Sequence, residues 1–248
     1  MPQPMLIANW KMHKTLDEAT AFMVLLRERL TRTDRGVVVC PPALYLDSLR
    51  RIIKGTPIGL GAQTIHFEEK GAFTGEISAA MLAAMGIGYT IIGHSERRQY
   101  FAETDETVNK KTRTALSKGL VPIVCVGETK AERDANKAFE IVDKQIKFGL
   151  GALTLTGPDA LVVAYEPVWA IGTGVNATPE DAEEMHRHIR GLLAELFGQT
   201  IADGICILYG GSVKSSNIAE LMAKPDINGA LIGGASLDIE EYLKIINY

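Results

Sequence analysis

The sequence predicts an α/β protein built as a single (β/α)8 barrel, and three observations carry that prediction. Short apolar runs recur eight times, segments of helical period lie between them, and no linker, low-complexity tract or composition shift divides the chain. The runs are Met5 to Ala8, Gly36 to Cys40, Ile58 to Ala62, Tyr89 to Ile92, Val121 to Val126, Leu161 to Tyr165, Ile205 to Tyr209 and Ala230 to Ile232. They are apolar nearly throughout instead of alternating, as strands of a parallel sheet covered on both faces are. Eight strand-helix units in 248 residues match the closed barrel, so residues 1–248 are expected to form one domain. An open, doubly wound sheet would place a Gly-rich dinucleotide fingerprint after the first strand, whereas Asn9-Trp10-Lys11-Met12-His13 stands there.

The helices are read from spacing and caps. Asp17 to Leu30 sets Ala21, Phe22, Leu25 and Leu26 three and four apart, which predicts an amphipathic helix. Thr178-Pro179-Glu180-Asp181 reads as an N-cap, a proline at the first helical position and an acidic first turn, opening a helix that runs to about Phe197.

Composition excludes several function classes. A net charge of -4 with no block of Lys or Arg argues against binding nucleic acid or an anionic membrane surface, while local binding of a small anion stays open. Cys40, Cys125 and Cys206 are odd in number and each lies in or ends an apolar run, which fits buried, reduced thiols of a cytoplasmic protein. The amino terminus has no basic region before its brief apolar stretch, and no run approaches the 18 residues of a membrane span, so a soluble, unexported protein is expected. His186 and His188 sit two apart on a predicted helix and cannot share a face, so no metal site is expected, and no cofactor motif is present.

The chemistry is expected at the carboxyl ends of the strands. Glu166 follows the run Leu161 to Tyr165, Pro167 stops the ladder, and Trp169 and Ile171 stand among Gly172, Thr173 and Gly174. A strand-end carboxylate beside an apolar flap on a glycine stem suggests a base working under a water-excluding lid. Ile92-Gly93-His94-Ser95-Glu96-Arg97 ends the fourth run; a helix start there would keep His94 neutral and able to donate one N–H to a substrate oxygen, with Glu96 and Arg97 as a supporting ion pair. Lys11, past the first strand, could neutralise a phosphate or an oxyanion, and Asn9 could orient it or touch substrate. Paired glycines end the last two runs, in Tyr209-Gly210-Gly211-Ser212 and Ile232-Gly233-Gly234, where backbone N–H groups can approach a phosphate. Cys125 reads as packing.

Base, neutral donor, cation, phosphate cradle and lid together suggest proton abstraction next to a carbonyl in a small sugar phosphate, hence aldose-ketose isomerisation. A Schiff-base aldolase would need a lysine inside a strand, and none of the eight runs holds one. A catalytically silent phosphate-binding protein would keep the glycines but need not keep Glu166, His94 and Lys11.

Along essentially its whole length the chain resembles the triosephosphate isomerase family, after which this barrel is named. Asn9-Trp10-Lys11, Gly93 to Arg97, Ala164 to Gly174, Tyr209 to Ser212 and Leu231 to Leu237 are each similar to a family motif, in order. The resemblance implies Glu166 as the proton-shuttling base, His94 as the neutral electrophile, Lys11 as the cation near substrate oxygens and Asn9 as a substrate contact. It implies phosphate held around Gly172, Ser212, Gly233 and Gly234, with Ile171 and Leu231 closing over Glu166. It also implies the substrates dihydroxyacetone phosphate and glyceraldehyde 3-phosphate, no cofactor, a place in glycolysis and gluconeogenesis, and a homodimer through the loop Gly71 to Glu76, with Thr74 reaching towards the neighbour's Lys11. Phe67 and Phe73 on that long connection are expected to be buried against the second subunit. The sequence departs from the family pattern at His13 and at Val175-Asn176.

Overall fold

The computed structural model describes residues 2–170 and 177–248. Eight parallel strands close into a barrel in chain order: β1 (Met5–Asn9), β2 (Gly36–Cys40), β3 (Ile58–Ala62), β4 (Tyr89–Ile92), β5 (Val121–Val126), β6 (Val162–Tyr165), β7 (Cys206–Tyr209) and β8 (Gly229–Ile232). Closure is made by β8 against β1, with Met5 opposite Gly229 and Ala8 opposite Ile232. The strands are apolar on both sides because both sides are buried. Ile7, Val38, Ile91, Ile123, Cys125, Val162, Ala164, Leu208 and Leu231 fill the barrel interior. Their neighbours Leu6, Ala8, Val37, Val39, Val163, Tyr165 and Ile207 face outward, into the layer between sheet and helices. All three cysteines are free and buried inside the barrel, where loss of solvent pushes the Cys206 thiol up to about 12.

The first helix spans Leu16–Arg29, opened by a capping box between Thr15 and Glu18. Its buried stripe is Ala19, Phe22, Met23 and Leu26, while Ala21 and Leu25 lie outward. The docking of Phe22 edge-on against Trp10, at 5.1 Å between ring centroids, sets that face. The helix Pro179–Phe197 begins where its sequence signals place it, with Thr178 as N-cap and Asp181 completing the box. No helix among the described residues is long and apolar enough to cross a membrane.

The long connection after β3 places its two phenylalanines differently. Phe67 is half-buried on its own barrel, stacked on His66 at 4.3 Å, and its carbonyl accepts a hydrogen bond from Thr114 Oγ1 at 2.8 Å. Phe73 packs on the other side of His66 yet stays 42% exposed. Of the two rings, Phe73 is the more exposed.

Candidate active site

Glu166 is the first residue beyond β6, and its N–H donates to Val126 O of the neighbouring strand at 2.7 Å. The ladder thus extends one residue past the strand and fixes where the side chain starts. Glu166 is 2% exposed, and its carboxylate is held by the Ser95 N–H at 2.9 Å and by His94 Nε2 at 3.0 Å. Burial pushes its pKa up, but the His94 charge and hydrogen bond, the Ser95 N–H and Lys11 together outweigh that, so the carboxyl is held below the usual range. Gly210 makes room for it: a Cβ there would lie 2.9 Å from Glu166 Cγ. This corrects the simplest reading of the first glycine pair, because the Gly210 N–H is already spent on Tyr165 O at 2.7 Å and a Cβ on Gly211 would strike the Tyr209 hydroxyl. Close approach of side chains, not a bare N–H for phosphate, requires Gly210.

His94 caps the short helix Ser95–Tyr100, and its Nδ1 accepts the Glu96 N–H at 3.2 Å. Burial alone would disfavour a proton on the ring, but the Glu166 carboxylate beside Nε2 reverses this and draws the His94 pKa up in the substrate-free arrangement. The hydrogen bond decides the tautomer. An N–H aimed at Nδ1 needs a lone pair there, and the Glu96 carboxylate at 3.6 Å is too far to accept from that nitrogen. The ring proton therefore sits on Nε2, facing Glu166.

Lys11 lies beyond β1 with a left-handed backbone, φ 49°. Asn9 orients it as anticipated, Oδ1 accepting the Lys11 N–H at 3.1 Å, and Gln63 Nε2 donates to the Lys11 carbonyl at 2.8 Å. Its ammonium pairs with Glu96 at 2.7 Å. The expected Glu96 and Arg97 pair is thus not formed, because successive helical residues point in different directions. Glu96 faces Lys11, while Arg97 reaches Glu103 at 2.8 Å.

Asn9, Lys11, His94, Glu166, Ser212, Leu231, Gly233 and Gly234 converge on one cavity of about 520 Å³ at the carboxyl ends of the strands. A Cβ on Gly233 would meet the Lys11 side chain, 3.7 Å from Nζ, whereas Gly234 opens onto free space. Leu231, buried in the barrel, lines the same cavity as Glu166. The Trp169 Nε1 donates to Glu128 Oε1 at 2.8 Å. Glu128, fully buried, also accepts from Tyr165 Oη at 3.1 Å and pairs with Arg133 at 2.9 Å. Glu128 carries no motif of its own, and its partners Tyr165 and Trp169 come from segments distant in sequence. The Lys214 and Glu241 side of the rim was not anticipated, since neither stands in a motif. Ile171, Gly172 and Val175-Asn176 lie outside the described residues.

The family profile described as triosephosphate isomerase matches residues 4–248. Among similar proteins, those named triosephosphate isomerase from Herpetosiphon aurantiacus and Roseiflexus sp. are each 52% identical over 249 residues, covering 100% of this chain and 100% and 98% of their own. One of the same name from Chloroflexus aurantiacus is 53% identical over 249 residues, covering 99% of this chain and 98% of its own. The chain belongs to the triosephosphate isomerase family.

Proposed function

We propose that this isomerase interconverts dihydroxyacetone phosphate and D-glyceraldehyde 3-phosphate by proton transfer through an enediolate, with Glu166 as the base and His94 as the electrophile. The observation that carries the reading is the buried Glu166 carboxylate 3.0 Å from the proton-bearing nitrogen of His94, in the same cavity as Lys11. Triosephosphate isomerase is itself the reference example of a glutamate base beside a neutral histidine, so these roles are carried over from the family and the geometry supports them. Glu166 removes the proton from the carbon next to the carbonyl. As negative charge grows on oxygen, His94 Nε2–H and the Lys11 ammonium stabilise it, the hydroxyl proton passes to the former carbonyl oxygen, and Glu166 delivers a proton to the adjacent carbon. Asn9 contacts substrate, Ser212, Gly233 and Gly234 hold its phosphate, and Leu231 clamps the base. Gly172 joins these residues at the phosphate, and Trp169 and Ile171 close over the site. In this reading the whole chain, 1–248, is one cytoplasmic domain that needs no cofactor or metal. A coupled assay with the purified protein tests it: rapid isomerisation in either direction, unchanged by a chelator, is the expected result, and no conversion by a folded protein refutes it.

The active form in this reading is a homodimer. Met12 is 94% exposed, Leu44 83%, Met81 55% and Phe73 42%, and they sit on the connections after β1, β2 and β3. Covering such side chains stabilises by roughly 1.5–3 kcal/mol each when burial is complete. Loop Gly71 to Glu76, exposed throughout, supplies Phe73 to a second copy. Light scattering is expected to give about twice the subunit mass of 26.9 kDa. Charged residues at Phe73 and Thr74 should lower both the mass and the activity; a fully active species of subunit mass would contradict the dimer.

A further inference from the structure

We propose that Lys14 is a positioning residue for anion binding, tying the connection after β1 to the turn after β8 so that Lys11 and Gly233 keep a fixed separation. The inference rests on the reading of the cavity as a triose phosphate site and adds a residue to it.

Lys14 adopts φ 72°, in the left-handed region where glycine and asparagine are at ease and a lysine is not. Such a backbone persists when the surroundings over-determine it, and here the side chain is engaged along its whole length. It runs over the rings of Phe22 and Trp10, with Nζ 4.7 and 5.2 Å from their centroids, and donates to Leu237 O at 2.8 Å. The Lys14 carbonyl accepts from Tyr45 Oη at 2.9 Å. One residue thus joins the loops after β1, β2 and β8 on the face that carries the cavity.

Leu237 ends the short turn Gly234–Leu237, and Gly233 begins it. Ser236 stiffens that turn, its hydroxyl donating to Ile232 O at 2.9 Å and Gly233 O at 2.7 Å. A grip on the Leu237 carbonyl is therefore transmitted to Gly233, which lies against the Lys11 side chain on the cavity wall. Lys14 and Lys11 leave the same loop, three residues apart: one holds the far end of the turn, the other faces its start. Lys14 thereby ties the two walls that would hold an anion directly to one another.

The test uses the full-length enzyme with Lys14→Met, which keeps the apolar stem and removes the donor, Lys14→Arg, which restores a donor, and Lys14→Gly, which relaxes the backbone and removes the tie. KM for glyceraldehyde 3-phosphate and the inhibition constant of inorganic phosphate are expected to rise together by roughly five- to twentyfold in the Met and Gly variants, with kcat within about threefold of the parent. Lys14→Arg should recover most of the difference. Unchanged KM and phosphate inhibition in folded Met and Gly variants, with or without a fall in Tm, would show that Lys14 only supports the fold and overturn the inference alone. A parent enzyme that phosphate fails to inhibit would overturn the reading of the cavity, and this inference with it.

Discussion

Glu166→Gln is expected to lower kcat by about 10²- to 10⁴-fold, the range for loss of a positioned acid-base group, in a protein that stays folded. The glutamine oxygen can still accept the Ser95 N–H that the carboxylate accepts at 2.9 Å, so the replacement removes basicity more than structure. Glu166→Ala should be no more active. Because His94, the Ser95 N–H and Lys11 hold the carboxyl of the free enzyme below the usual range, kcat/KM of the parent should persist as pH falls towards ordinary carboxylate values, and decline only beneath them as Glu166 takes up a proton. The glutamine variant should lack that acid limb. Steady-state rates across pH, with circular dichroism to confirm folding, check both statements; a folded variant with parental turnover would falsify the role of Glu166.

Lys11→Ala is expected to cost about 10²- to 10³-fold in kcat/KM, comparable to removing an oxyanion-hole donor, while Tm changes little. The asymmetry follows from where the ammonium sits. Its partner Glu96 is 41% exposed and can return to water when the 2.7 Å pair is lost, so folding has little at stake. In a cavity emptied of water by bound substrate, the same charge acts through a much lower dielectric. Kinetics and binding of inorganic phosphate should both suffer; parental values of each would make Lys11 a surface cation.

The architecture was legible because a barrel strand buried on both faces writes itself as a short apolar run. Four runs, including Gly36 to Cys40 and Val121 to Val126, coincide with their strands, and the others differ at one end by one residue. The reasons are local. Leu161 and Ile205 are buried but precede the paired residues, whereas polar Asn9 pairs opposite Cys40 and polar-flanked Gly229 opposite Met5. The site residues were legible as strand-end positions, but their partners were not. That Glu96 meets Lys11 and not Arg97, that Gly210 yields space to Glu166, and that Lys14 spans to Leu237 all depend on contacts between segments distant in sequence. The histidine tautomer needed the Glu96 N–H direction, which the motif only hinted at through the start of a helix.

The central claim is that a proton passes through Glu166 between neighbouring carbons, and isomerisation in D2O tests it most directly. With dihydroxyacetone phosphate as substrate, the parent enzyme should place solvent deuterium on the carbon next to the carbonyl in product and in returned substrate, while the folded Glu166→Gln variant should lose turnover and exchange together. Turnover and exchange at the parental rate in folded Glu166→Gln would contradict the account.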